Sequence, residues 1–350
     1  MIGRLLLAPL LNLAPLAIAA LIAGAGFAHA QDASRTFYQG KTIQVLSPYD
    51  GGGIYPQLAQ ALANYLPKYL PGRPSAVPQF MPGAGGIKMA NYMQRIAPRD
   101  GTVIAVLFDG TPSAQLLYAD NGVNYNVDEF IPIGTVTRGD TSVLIVRADS
   151  PVKTIADAKQ QEVVVGGAAA GAGNVVVPRG LNFAIGTKFR VLTGYPTMGS
   201  ILLAMEQREV DATVLNWSNL NQLKPDWIAG HKLRVLAQVG IERHKDLPDV
   251  PLLLDLTSDD KTRQALRLIS ANSMSGKGFV TTPGVPAERV DILRKAFMDV
   301  MHDPDFVDLM TKQKVDLDPQ PPTFLADVFH QILSTDPQIV KAVRTATDKQ

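Results

Sequence analysis

The chain has 350 residues, 46% hydrophobic and 19% charged, which is enough for about two domains with substantial cores. Its formal net charge is +1, and Arg4 is the only charged residue among the first 30. The rest of the chain has 32 basic and 32 acidic side chains, so no concentrated basic surface favours a nucleic-acid partner. Cysteine is absent, which excludes disulfides, a thiol nucleophile and a lipid anchor on cysteine. No two of the five histidines are spaced as metal ligands, and we expect neither a metal nor a cofactor.

The first 30 residues have the pattern of a secretory signal peptide. Arg4 forms a short positive region, residues 5–27 are uncharged and rich in Leu and Ala, and residues 28–30 (Ala-His-Ala) place small residues before a cleavage site. An uncleaved membrane anchor is the alternative, since an uncharged stretch of this length could span a bilayer. The pattern favours cleavage after Ala30 and a mature chain in the periplasm.

The next part of the chain repeats one pattern: a short β-rich run, a glycine-containing turn and an amphipathic helix. A buried strand is predicted at 42–47, a turn at 48–53 and a helix from Tyr55 to Leu66. The same order recurs after predicted strands at 75–80 and 102–108. Such alternation predicts an α/β fold, with an open mixed sheet flanked by helices.

A second set of elements begins near residue 135. The pattern predicts strands at 142–146, 162–165, 189–192, 212–215, 233–239 and 278–280, and helices at 151–159, 198–207 and 286–301. We expect the chain to cross between domains near 137–141 and to return near 240–250. The first domain would then comprise 31–138 and 245–350, and the second 139–244.

Glycine-rich turns follow several of these strands. Such a turn combines unpaired backbone N–H groups, the positive end of a helix dipole and a backbone that a ligand can approach closely. In an open α/β sheet these turns lie at the carboxyl ends of the strands, where ligands bind. We therefore predict anion-binding turns at 51–53, 83–86 and 171–174, with ordinary turn geometry as the alternative.

Two tyrosines, Tyr49 and Tyr55, flank the first glycine turn, and Trp217 follows a predicted strand. An aromatic side chain beside a cleft can stack on an organic ligand or donate a hydrogen bond to it. The alternative is that these rings cover the edge of the core.

Enzyme motifs are missing from the sequence. Residues 166–176 do not contain the G-x-G-x-x-G dinucleotide fingerprint, and residues 275–278 (Ser-Gly-Lys-Gly) lack the Ser or Thr that ends a P-loop. There is no G-x-S-x-G or H-E-x-x-H motif. An exported α/β enzyme acting on a carboxylated substrate therefore remains only as an alternative.

Several short motifs occur in a characteristic order: FYQGKTI at 37–43, GGG at 51–53, MPGAGG at 81–86, APRDGT at 97–102, TGYP at 193–196, LAMEQREVD at 203–211, LPDVP at 247–251 and PGVP at 283–286. Together they resemble the solute-binding proteins of tripartite tricarboxylate transporters, the Bug or TctC family. The resemblance covers essentially all of the chain after the predicted signal peptide.

The resemblance implies a two-domain periplasmic-binding-protein fold of type II without enzymatic activity. It further implies a protein that captures a small organic acid by domain closure and delivers it to membrane permease subunits. We expect this protein to be a monomer. In the family, backbone amides and hydroxyls of the first two glycine turns hold the ligand carboxylate. The ligand-binding residues expected here are Tyr49, Gly51, Gly52, Gly53, Tyr55, Gly83, Ala84, Gly85, Gly86, Asp109, Gly110, Thr111, Gly171, Gly173, Asn174 and Tyr195.

The sequence departs from the family pattern directly after the first glycine turn. Many members carry Thr-Asp there, and this chain has Ile54-Tyr55. The change disfavours an amino acid or a specific dicarboxylate as the ligand, and Tyr55 suggests a larger or more aromatic one. A sensory protein that presents its ligand-loaded form to a membrane receptor is a further alternative, because it would use the same closing fold.

Overall fold

The computed structural model describes residues 36–51, 53–119, 122–168, 171–240 and 242–348, so the predicted signal peptide lies outside the described residues. The described residues contain ten strands, which form two sheets of five strands each. The strands are β1 (Thr42–Ser47), β2 (Ser75–Phe80), β3 (Val103–Val106), β4 (Ile131–Thr135), β5 (Ser142–Arg147), β6 (Val163–Gly166), β7 (Phe189–Leu192), β8 (Ala212–Asn216), β9 (Leu233–Val239) and β10 (Gly278–Thr281).

The first sheet has the order β2-β1-β3-β10-β4. Strands β1, β2 and β3 are parallel, and β10 runs antiparallel to both β3 and β4. The carboxyl ends of β1 to β4 and the beginning of β10 therefore share one edge of this sheet. Turns that follow the parallel strands meet at this edge.

The second sheet has the order β7-β6-β8-β5-β9 and a matching arrangement. Strand β6 is parallel to β7 and β8, whereas β5 is antiparallel to β8 and β9. Ser142, which begins β5, pairs with Asn216 at the end of β8 and with Val239 at the end of β9. The carboxyl ends of β6 to β9 thus share an edge with the beginning of β5.

The two carboxyl edges face each other, because the chain passes between them directly. Residues 136–141 connect the end of β4 to the beginning of β5 and can span at most roughly 25 Å. Residues 270–277 lead back to β10 alongside them: the Thr137 N–H donates to the Gly276 carbonyl at 3.0 Å, and the Asp140 N–H to the Ser273 carbonyl at 3.3 Å. We call 136–141 and 270–277 the crossing segments and the space between the two edges the cleft.

Thirteen α-helices lie in the described residues and pack on the sheets. They are α1 (Ile54–Tyr65), α2 (Ile87–Arg95), α3 (Thr111–Leu117), α4 (Ile155–Gln160), α5 (Gly173–Ile185), α6 (Met198–Glu206), α7 (Trp217–Leu223), α8 (Pro225–Ala229), α9 (Asp260–Ile269), α10 (Ala287–Met301), α11 (Pro304–Lys312), α12 (Pro322–Leu333) and α13 (Pro337–Asp348). Five short 3₁₀ helices connect some of these elements. We call each sheet with its packed helices a lobe.

The central strands β1, β3 and β10 of the first sheet are buried on both faces, which explains their nearly continuous apolar runs, whereas the edge strand β2 is largely exposed. In β1, Ile43 and Val45 pack on one face with Leu58 of α1 and Phe297 of α10. Leu46 faces the opposite layer, where α2 and α12 pack. The alternation of side chains along a strand thus places one half of β1 in each layer.

The second lobe takes helices from the end of the chain. Leu266 and Ile269 of α9, and Val343 of α13, are buried in one cluster with Leu181 of α5. A Cβ at Gly180 of α5 would lie 2.6 Å from Ile269 Cγ2, so the glycine permits this close helix packing.

The segment after β9 also stays with the second sheet. The Gln238 N–H donates to the Pro251 carbonyl at 2.8 Å, and Leu253 is buried in the same cluster as α9. The sequence pattern suggested a return to the first domain near 240–250, whereas residues 247–269 pack beside the second sheet. How the chain divides into domains stays a prediction.

Most predicted strands agree with the structure to within two residues at each end. Strand β4 was not predicted, because Pro132 and Gly134 interrupt its sequence. It lies at the edge of the first sheet, where a proline is tolerated. Across the described residues, no helix has both the length and the apolar character needed to cross a membrane.

Candidate functional site

Three turns of the first lobe come together at the carboxyl edge of its sheet. A Cβ at Gly86 would lie 2.9 Å from the Phe108 Cβ and 3.4 Å from the Pro48 Cβ. The turn after β2 therefore contacts the turns after β1 and β3, and only a glycine permits this approach. The sequence predicted these turns separately, and the parallel order of β2, β1 and β3 brings them together.

The turn after β2 has an unusual backbone. Gly83, Ala84, Gly85 and Gly86 all have positive φ, at 148°, 46°, 59° and 88°. Ala84 is strained there, because a side chain disfavours the left-handed region, and such strain concentrates at ligand-binding sites. The first three residues are exposed, and Gly86 is the N-cap of α2, so the turn leads into a helix N-terminus that favours an anion.

The turn after β1 has a similar character. Gly51 and Gly53 are exposed and have φ of 72° and 110°, and nothing lies within 4 Å of a Cβ placed on either residue. Gly53 is the N-cap of α1, a helix of 12 residues. Gly52 lies outside the described residues.

The two tyrosines beside the first turn form an aromatic cluster with Phe108. The ring centroids of Tyr49 and Tyr55 are 5.4 Å apart, and that of Phe108 lies 5.8 Å from Tyr49 and 6.0 Å from Tyr55. The Tyr55 hydroxyl accepts a hydrogen bond from the Asp109 N–H at 3.3 Å. Burial, with the nearby charge of Asp109, raises the pKa of Tyr49 to about 12 and the pKa of Tyr55 well above its usual value, so both side chains are neutral.

A buried ion-pair cluster lies next to these rings. The Lys277 ammonium contacts Asp109 Oδ2 directly and lies 3.4 Å from Asp140 Oδ2, while the Tyr55 ring lies 5.2 Å from Nζ. The side chains of Lys277 and Asp109 are only 6% and 8% exposed. Burial opposes the charge of Lys277, but Asp109, Tyr55 and Asp140 together raise the pKa of Lys277 well above its usual value, so the lysine is charged.

Sequence reasoning missed Lys277. The residue lies immediately before β10, and because β10 is antiparallel to β3, its beginning lies beside the end of β3, where Asp109 follows. Residues 109 and 277 are 168 positions apart, and only the topology places them together. The local signal is a lysine between two glycines directly before an apolar strand, a pattern that by itself matches only an incomplete P-loop.

Gly110 and Thr111 stabilise the beginning of α3. The Gly110 carbonyl accepts a hydrogen bond from the Ser113 hydroxyl at 3.1 Å, and the Thr111 carbonyl accepts one from Tyr125 at 2.8 Å. Both residues are buried. They fix the backbone that carries Asp109.

The glycine turn of the second lobe approaches the first lobe. A Cβ at Gly171 would lie 3.3 Å from the Tyr118 hydroxyl oxygen at the end of α3, so this turn faces the first lobe across the cleft. Gly173 begins α5, and the buried Asn174 accepts a hydrogen bond through Oδ1 from the Ala168 N–H at 3.0 Å. The Asn174 side chain therefore holds the turn in shape.

The remaining aromatic candidates are bound within the second lobe. Tyr195 donates its hydroxyl hydrogen to Glu209 at 2.7 Å and packs against the outer core of this lobe. Trp217 is buried and donates through Nε1 to Asp246 at 3.2 Å. The structure thus brings together Tyr49, Tyr55 and Asp109, whereas Tyr195 interacts elsewhere with its hydroxyl. Within the described residues, no group of three His, Asp or Glu side chains could hold a metal ion.

The opposed sheets, the paired crossing segments and the glycine turns at the facing edges define a two-lobed α/β solute-binding protein. The chain belongs to the TctC family, described as the tripartite tricarboxylate transporter family receptor, whose model matches residues 59–325. It is a solute-binding receptor of this family, whose members are periplasmic and work with a tripartite transporter.

Solved structures have the same fold. A TctC solute-binding protein from Polaromonas, without ligand, is 21% identical over 89% of this chain and 100% of its own, with a TM-score of 0.68. Rpa4515 from Rhodopseudomonas palustris with adipate is 19% identical over 87% and 97%, with a TM-score of 0.60. MatC from the same organism, with bound malate, is 20% identical over 87% and 99%, with a TM-score of 0.58. The comparison with curated proteins finds no match.

Proposed function

We propose that the chain, cleaved after Ala30, is a monomeric periplasmic protein that captures a small organic carboxylate between its lobes and passes it to the permease subunits of a tripartite transporter. In this proposal the protein catalyses no reaction. The observation that carries the proposal is the convergence of the turns after β1, β2 and β3 at one edge, with the backbone of Gly86 against Phe108 and Pro48.

The turns are suited to a carboxylate for a physical reason. Those after β1 and β2 lead into the N-termini of α1 and α2, where backbone N–H groups and the helix dipole favour negative charge. No lysine or arginine is needed for such binding. Solved relatives with malate and with adipate support a carboxylate as the ligand.

Gly85 provides a direct test of the binding position. Its Cβ would enter open space, where the ligand carboxylate is proposed to lie. We expect Gly85→Ala to weaken carboxylate binding by at least about tenfold, which corresponds to about 1.4 kcal/mol. A thermal-shift screen of carboxylic acids, including malate and adipate, would select the ligand, and calorimetry would then give its affinity.

Gly186→Ala is the matched control. Gly186 has φ of 74°, close to the 59° of Gly85, and nothing lies within 4 Å of its added Cβ either, but it ends α5 on the second lobe. Both variants should lose similar stability from the left-handed backbone, and only Gly85→Ala should lose affinity. Unchanged affinity in Gly85→Ala would place the carboxylate elsewhere.

A further inference from the structure

One buried polar atom of the ion-pair cluster has no hydrogen-bond partner. Asp109 Oδ1 is buried and unpaired in the described part of the chain, although Oδ2 of the same carboxylate contacts Lys277. Leaving a buried charged acceptor unpaired is costly, and such atoms in folded proteins mark ligand, ion or water positions. The atom belongs to a turn that the proposed function already places in the cleft.

The other polar atoms of the cluster are occupied. Asp140 accepts from Lys277 through Oδ2 and from the Ser218 hydroxyl through Oδ1 at 3.3 Å. The Lys277 ammonium is directed to the two carboxylates and approached by the Tyr55 ring. The cluster therefore offers a ligand an acceptor, Asp109 Oδ1, rather than a cation. The Tyr55 hydroxyl, which interacts with the Asp109 carboxyl, lies beside this acceptor.

The charged groups of the cluster point the same way. Two acidic side chains, Asp109 and Asp140, flank the single Lys277 ammonium. Burial raises the pKa of the Asp109 carboxyl, and its contact with Lys277 opposes that rise. A second carboxylate group of a ligand would be repelled here, whereas a hydroxyl or an ammonium group would be attracted. The glycine turns, and not this cluster, would therefore bind the carboxylate group of the ligand.

Asp109 lies within reach of those turns. It follows Phe108, whose Cβ would be 2.9 Å from a Cβ at Gly86. The Asp109 side chain is 8% exposed. The terminal torsion of an aspartate is broad, so Oδ1 can turn toward the cleft while the flexible Lys277 side chain follows Oδ2.

We propose that Asp109 accepts a hydrogen bond from the ligand, so that the site takes a carboxylate that also carries a hydroxyl or an ammonium donor. Lys277 acts as a positioning residue, because its ammonium holds the Asp109 carboxylate through Oδ2 and leaves Oδ1 for the ligand. This inference rests on the proposed function and deepens it by naming the class of ligand.

Three series of acids on matched carbon skeletons test the inference: propionate, lactate and alanine; succinate, malate and aspartate; benzoate, 3-hydroxybenzoate and 3-aminobenzoate. In calorimetry with the mature protein, a donor-bearing acid should bind at least about tenfold more tightly than its parent acid, as expected for a hydrogen bond to a charged acceptor. The hydroxyl and nitrogen arms distinguish the two sources of the donor.

Asp109→Asn should abolish the donor advantage. Lys277 has no acceptor, so the amide oxygen must face the ammonium, and the amide NH₂ then replaces Oδ1. Asp140→Asn is the matched control, because it removes the same charge next to Lys277 and leaves Asp109 intact. The donor advantage should persist in that variant.

The outcomes separate the two proposals. Acids that bind without any donor advantage in the wild-type protein would overturn the inference and leave the proposed function standing. Failure of every acid to bind would contradict both. Should Asp109→Asn not fold, the double variant Asp109→Asn with Lys277→Gln removes both charges and avoids an unpaired lysine, and it should show no donor advantage either.

Discussion

Asp303 shows how much one side chain can stabilise this fold. Its carboxylate accepts hydrogen bonds from Lys68 Nζ and the Tyr69 hydroxyl, both at 2.7 Å, and from the backbone N–H groups of Asp305 and Phe306 at 2.9 and 3.4 Å. The side chain is fully buried. One residue thus caps α11 and ties it to the segment that follows α1.

Asp303→Asn should lower the free energy of unfolding at pH 7 by about 2 kcal/mol, because a cap and buried charged hydrogen bonds are lost together. The hydrogen bonds from Lys68 and Tyr69 lower the pKa of Asp303 from 3.8 to about 2, so its contribution is present above about pH 4 and is lost as the pH falls toward 2. Urea unfolding of both proteins at pH 7 and pH 3 should show the difference falling by about half. A difference that does not change with pH would contradict this role.

At the scale of elements, the sequence predicts what depends on local pattern. The bounds of β1, β2, β7 and β9 agree with their predicted ranges. Of these, β1, β7 and β9 are apolar or alternating runs between turn residues. Strand β4 fails the same rules, since its place depends on a tertiary contact: a Cβ at Gly134 would lie 2.7 Å from a ring atom of Phe297 in α10. The glycine turns were likewise predictable, whereas the Lys277–Asp109 pair required the antiparallel insertion of β10.

Gly276 tests how tightly the two crossing segments pack. Its φ is 59°, and an added Cβ would lie 1.9 Å from the Thr137 carbonyl oxygen, which belongs to the other segment. Gly276→Ala must therefore push the segments apart in addition to straining the backbone. We expect a loss at least about 2 kcal/mol larger than that of Gly284→Ala in urea unfolding.

Gly284→Ala is a suitable control because Gly284 also has a positive φ, 81°, but its nearest neighbour is the Arg99 Cδ at 3.7 Å, an ordinary contact. It should lose only about 1 kcal/mol. Equal losses in the two variants would mean that the crossing segments do not pack against each other as described.

For the whole molecule, the connections between the lobes lie close to the ion-pair cluster. Asp140 belongs to one crossing segment and Lys277 to the other, while Ser218 of α7 connects Asp140 to the second lobe. The lobes also meet through α12, near the C-terminus of the chain. This helix packs on the first sheet, and its Val328 is buried in the same cluster as Leu181 of α5 in the second lobe. A ligand held at Asp109 is thus next to the segments about which the lobes would move.

Domain closure predicts a change in distance between the lobes when a ligand binds. The chain has no native cysteine, so two introduced cysteines can be labelled without background. Lys88 and Thr193 are exposed residues near the carboxyl ends of β2 and β7, on opposite lobes. Spin labels at these positions should move closer when a saturating carboxylate is added, because the ligand favours the closed state through its contacts with both lobes.

A second pair at Lys88 and Asp128, both exposed on the first lobe, should keep its distance. Binding detected by calorimetry without any shortening of the Lys88–Thr193 distance would rule out closure as the mechanism.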